Sequence, residues 1–177
     1  KRLPKSALTV VDKIVEKARR ENNPSQLIKS LLHKAKYLED TNENGRLVSI
    51  ELLENEVGQV LFPAKQVLHS ILGNIYHTEL SQRYWRIRNR TEVQDAKDSA
   101  DINLWTIDQF VRASTDHYLA SLAEKEKLFS LPSSLFQAVL REGKEAIGLR
   151  PTVYDFLAHR AIDHFMNDRN YLAQPKE

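Results

Sequence analysis

Cysteine is absent from this sequence, which removes disulfides, thiolate metal sites and a cysteine nucleophile together. An excess of one charge is also lacking. Lys and Arg number 26 against 24 Asp and Glu, a net charge of +2, so composition makes no case for nucleic acid. No apolar run approaches the roughly 20 residues of a membrane span. The start, Lys1-Arg2-Leu3-Pro4, has neither an initiator Met nor the pattern of a signal peptide. The chain reads as an excised or processed piece, with any export signal upstream. Strand signals are missing too: there is no sustained β-branched alternation, and Asn44-Gly45 sits between polar stretches rather than apolar ones.

Motifs for catalysis are equally wanting. No G-x-S-x-G occurs, and Gly143 and Gly148 lead to Leu149-Arg150 where a phosphate loop needs Lys and Ser or Thr. Carboxylates such as Glu51, Glu54 and Glu56 lie on helix faces, with no pattern that isolates one in an apolar pocket. Neither enzyme activity nor a cofactor is expected.

What is present is helical periodicity. With 41% hydrophobic and 28% charged residues, a 177-residue chain buries enough surface to fold as one domain. Ala7, Val11, Ile14 and Ala18 mark a first helix over about 4–21. Asn23-Pro24-Ser25-Gln26 reads as the start of a second, carrying Leu27, Ile28, Leu31, Leu32, Ala35 and Leu38. After a turn at Asp40 to Gly45, a third helix has Ile50, Leu53, Val57 and Val60. Pro63 opens a fourth with Val67, Leu68, Ile71, Leu72, Ile75 and Tyr76. Periodicity fails from Ser81 to Asp101, which reads as a long irregular segment. It resumes with a capping box at Thr106 and Gln109, a short helix from Leu131, and a last helix capped by Thr152 and Asp155.

The fold class is therefore all-α: about seven helices as stacked antiparallel hairpins, similar in geometry to a tetratricopeptide bundle without its signature residues. Residues 1–80 supply two hairpins, 81–101 the loop, and 102–177 three further helices.

Two constellations carry candidate chemistry. Asp155, His159 and Asp163, spaced by four, fall along one side of the last helix as one nitrogen and two oxygen ligands. The same spacing fits a solvated edge paired with Arg150 or Arg160. The other histidines, His33, His69, His77, His117 and His164, lack ligand spacing and read as surface or boundary residues. The second constellation is Arg83 to Thr91, where Tyr84 and Trp85 interleave with Arg83, Arg86, Arg88 and Arg90. Three readings stand open for it: a loop whose aromatics pack on the helices, a protein contact, or a base-stacking surface. Asn89-Arg90-Thr91 also matches a glycosylation sequon.

Several segments resemble the N-terminal helical region of large α2-macroglobulin-like proteins of Bacteroidetes. They are Leu3 to Leu8, Ala18 to Lys36, Pro63 to Lys65 with Leu68 to Leu72, Trp85 to Thr91, Tyr118 to Leu122, and Leu149 to His159. The resemblance implies an exported, envelope-associated parent in which macroglobulin domains follow the helical region, with a role in protease trapping or inhibition. Its thioester signature needs a Cys that this chain lacks, and no family functional residue maps here. On that basis the chain is expected to be a non-catalytic scaffold in the periplasm or cell envelope. Its partners would be downstream macroglobulin-type domains or another envelope protein, with proteases reached through the parent. The alternatives are a stand-alone helical-repeat adaptor and an RNA- or DNA-binding module using 83–91.

Overall fold

Three polar side chains set where helices begin. Asn23 accepts from the Gln26 amide at 3.0 Å, and Thr106 with Gln109 and Thr152 with Asp155 form reciprocal capping boxes. The computed structural model describes residues 4–88, 101–140 and 148–167. In order these form α1 (Pro4–Arg20), α2 (Pro24–Thr41), α3 (Gly45–Val57), α4 (Ala64–Ile87), α5 (Ile107–Ser121), α6 (Lys125–Phe129), a 3-10 turn (Ser133–Phe136) and α7 (Val153–Phe165). No strand occurs among the described residues, and the fold is all-α.

Two expectations need correction. The segment from Ser81 does not break into a loop: α4 continues to Ile87, and only 89–100 of the expected irregular stretch lie outside the described residues. Leu80 and Ile87, seven apart, are both buried, and Glu79 pairs with Arg83 one turn on. The apolar stripe is thin there because the other faces carry polar groups. The helix expected from Leu131 is a single 3-10 turn, while α6, which begins after Glu124 at φ 62°, has too few apolar residues to show a period.

One hydrophobic cluster runs from Val11 of α1 to Leu157 of α7. Each helix from α1 to α5 packs on its sequence neighbour, although α3 lies more extensively on α2 than on α4. Helix α4 is the hub, touching α2, α3, α5 and α7, and its largest interface is with α5. Leu68, Leu72 and Phe110 are wholly buried there, each contributing about 1.5–3 kcal/mol by burial.

The α4 and α5 backbones approach closely at Gly73. A Cβ on Gly73 would lie 2.9 Å from the Tyr118 ring and 3.2 Å from the Ser114 carbonyl oxygen. Ser114 Oγ donates to the Gly73 carbonyl at 2.7 Å across the same gap. Gly73→Val is therefore expected to destabilise the chain by about 2–3 kcal/mol through overpacking, read as a lower urea midpoint with unchanged m. Wild-type stability in that variant would refute the close crossing.

Candidate functional site

Helical geometry divides the Arg/aromatic segment among different environments. Glu79, Gln82, Arg83 and Arg86 recur at three- and four-residue steps, so they share one face of α4. Together with Glu39 of α2 and Arg46 of α3 they line a cleft of about 400 Å³. Gly45 makes this meeting possible: a Cβ there would sit 2.3 Å from the Glu39 carbonyl oxygen, so only glycine lets the start of α3 close onto the end of α2.

Glu79 is 3% exposed and engages two guanidinium groups. Its Oε1 accepts from Arg46 Nε at 2.6 Å, and its Oε2 lies 2.7 Å from Arg83 Nη2. Arg46 Nη1 donates to Glu39 Oε1 at 2.6 Å, which also accepts from Ser49 Oγ at 2.7 Å. Arg83 Nη1 donates to Asn103 Oδ1 at 2.7 Å. Burial would raise the Glu39 pKa, but the hydrogen bonds from Ser49 and Arg46 outweigh it and hold the carboxyl below its ordinary value. Burial likewise opposes charge on Arg46, and its two carboxylate partners reverse that and raise it.

Arg86 differs from its neighbours. It is exposed and has no hydrogen-bond or ion-pair partner among the described residues. A second hollow of about 300 Å³, lined by Arg83, Ile87 and Asn103, opens on its other side. Trp85 points elsewhere and is 75% exposed, with the Arg88 guanidinium 4.8 Å from its ring centroid. Tyr84 is half-buried, packs on the core and meets Trp85 edge-on. Arg90 lies outside the described residues.

Two imidazole clusters flank the α4/α5 crossing: His69, His77 and His117 are half-buried boundary residues, whereas His164 is buried, which corrects its reading as a surface or boundary group. In the first, Tyr76 Oη donates to Glu54 Oε1 at 2.6 Å, and the same oxygen is 3.0 Å from His117 Nε2. His117 Nδ1 faces His69 Nδ1 at 2.9 Å. His117 Nε2 donates to Glu54, and of the two facing Nδ1 atoms one must donate and the other accept, so the two rings cannot both be protonated. Burial and then the neighbouring His117 push His69 down to about 4. Burial opposes ionisation of Glu54, yet the hydrogen bonds from His117 and Tyr76 prevail and lower its value.

In the second cluster His164 of α7 is 3% exposed and stacks on Tyr118, with centroids 4.8 Å apart. Its Nε2 is 3.2 Å from Thr115 Oγ1, and His77 meets it edge-on. Burial, then His77, lowers it to about 4. Neither grouping has a signature in sequence spacing, because the partners sit tens of positions apart.

The Asp155, His159 and Asp163 row does not converge on a point. Asp155 Oδ2 serves the α7 cap, accepting from the Thr152 amide at 3.0 Å and from its hydroxyl at 2.7 Å. His159 is exposed beside Arg150, and Asp163 is exposed. Arg160, expected on this edge, instead donates from Nε to Ser70 Oγ at 2.8 Å and ties α7 to α4. Among the described residues no three His, Cys, Asp or Glu side chains are grouped to hold a metal, and no helix is long and apolar enough to cross a membrane.

An apolar hollow elsewhere in the fold is a different feature. A cleft of about 380 Å³ lies between the α1–α2 turn and the α3–α4 connection, lined by Ala18, Leu27, Val60, Phe62 and Leu135 with Arg19 at its edge. Arg19 is held there by an ion pair to Glu56. The sequence matches no protein-family model, and no curated protein or solved structure matches it.

Two of the imidazoles give the fold a defined acid response. His69 and His164 have folded values near 4 against 6.5 when unfolded, so the unfolded chain binds more protons between those values. Their neutral forms leave stability intact above pH 6.5, and it declines as pH falls toward 4. The slope per group is at most about 1.4 kcal/mol per pH unit. The depressed Glu54 value adds a loss of the same sign as pH falls through its folded pKa. Urea midpoints should drop across this window, and His69→Gln or His164→Gln should flatten the dependence. A native chain with constant midpoints from pH 7 to pH 4.5 would show that the imidazoles titrate as they do when exposed.

Proposed function

We propose that this chain is a non-catalytic helical interaction domain that meets a protein partner through the C-terminal end of α4. The observation that supports this is Trp85, three-quarters exposed on a helix whose other large apolar residues are mostly buried, with Arg88 stacked on its face. Trp and Arg are the residues that concentrate binding energy at protein interfaces, and a ring already ordered by a neighbour loses less entropy on binding. The polar clusters beside α4 are used internally, as bonds between helices, so the reading assigns them to stability rather than turnover.

A base-stacking surface fits less well. Arg83 is engaged by Glu79 and Asn103, and Arg86 and Arg88 are two residues apart, on different sides of α4. A polyanion needs several cations converging on one face.

The sequence resemblance supplies the wider proposal. The parent would be an exported α2-macroglobulin-like protein acting in protease trapping or inhibition at the bacterial envelope. This stretch would dock on downstream macroglobulin-type domains or another envelope protein. A stand-alone helical adaptor is the alternative.

Capture from envelope extract tests the reading. The native chain should enrich a protein carrying macroglobulin domains, and Trp85→Ala should cut its recovery by about tenfold. Trp85→Ala should leave thermal stability within about 0.5 kcal/mol, so the loss is one of contact. Equal recovery by both baits would remove the surface reading, and recovery of an unrelated partner would remove the macroglobulin context.

A further inference from the structure

We propose that the cleft beneath Arg86 is a carboxylate-binding site that takes an acidic side chain of a protein partner, an inference that rests on the α4 end being an interaction face. The cleft is lined by three guanidinium groups and two carboxylates, a surplus of one positive charge. Both carboxylates oppose an incoming anion, but each is already engaged: Glu79 by Arg46 and Arg83, and Glu39 by Arg46 and Ser49. The charge left over is that of Arg86, at the boundary between the two hollows.

Glu79 also fixes what surrounds that charge. As a buried acceptor it clamps the guanidinium groups of Arg46 and Arg83, which therefore line the cleft without spending entropy to order when a ligand arrives. Arg46 Nη2 and Arg83 Nε donate to no described group and so retain N–H capacity. A carboxylate entering here meets the planar, forked donors of Arg86, the geometry that suits two-point recognition. The adjoining face displays Trp85, which gives an apolar neighbour of that acidic residue somewhere to pack.

The charge count decides the class of partner. A surplus of one matches one carboxylate in a peptide. A nucleic acid would bring several phosphates against Glu39 and Glu79.

The test uses the whole chain and a fluorescein-labelled octapeptide with one Glu between Leu residues and an amidated end, beside a counterpart with Gln for Glu. Fluorescence anisotropy should show the Glu peptide binding at least about tenfold more tightly than the Gln peptide, with the preference shrinking in high salt. Arg86 has no partner among the described residues, so Arg86→Gln should erase the preference while leaving the melting curve unchanged. No binding of the Glu peptide, equal binding of the two peptides, or an unaltered preference in Arg86→Gln each overturns the site. So does tighter, Arg86-dependent binding of a single-stranded RNA decamer. If Arg86→Gln still captures the envelope partner that Trp85→Ala loses, the interaction face stands and the carboxylate site falls.

Discussion

Helices α4 and α5 meet backbone to backbone at Gly73, and most of what distinguishes this fold follows from that contact. Without a side chain at Gly73, the Tyr118 ring lies across α4 and the Ser114 hydroxyl reaches the Gly73 carbonyl. A helix carbonyl already has an intrahelical partner, so the Ser114 bond occupies its second lone pair and costs α4 nothing. With the axes this close, side chains one and two turns away are forced together on both sides of the crossing. His69 and Tyr76 then face His117, while α7 brings His164 onto Tyr118 and His77.

Those contacts fill the seam with polar groups, and their protonation states make that tolerable. A neutral imidazole has one donor and one acceptor, so it can pass a hydrogen bond along a chain of neighbours. Glu54, His117 and His69 form such a chain, with Tyr76 supplying a further donor to the carboxylate. Were His117 and His69 both protonated, two donors would oppose each other at 2.9 Å. The pair therefore holds together while at least one of the two stays neutral, in line with the lowered value of His69.

Much of the helical framework is readable from sequence because it is governed by residues three or four positions apart. The caps at Asn23, Thr106 and Thr152 and the stripe through Val67, Leu68 and Leu72 are of this kind. Ser81 to Ile87 misled for a local reason: a helix buried on one narrow edge, with Leu80 and Ile87 a heptad apart, presents mostly polar letters. The row at Asp155, His159 and Asp163 misled in the opposite way. Correct spacing cannot reveal that Asp155 is already committed to Thr152. The charged cleft has no spacing signal, since Glu39, Arg46 and Glu79 belong to three helices that only the fold assembles. The one legible clue was composition, the run of Arg and aromatic residues, which drew attention to the right turn of α4 without separating Arg86 from Arg83.

The separation of those two arginines follows from the buried carboxylate between the helices. Desolvating Glu79 is costly, and its two guanidinium partners offset that cost while gaining fixed positions. A hydrophobic residue of similar size could join α3 to α4 without the desolvation cost, but it would leave Arg46 and Arg83 free to swing into solvent. Glu79 therefore sets orientation. It turns two of the cleft's arginines into scaffold and leaves Arg86 as the cleft arginine without a partner among the described residues.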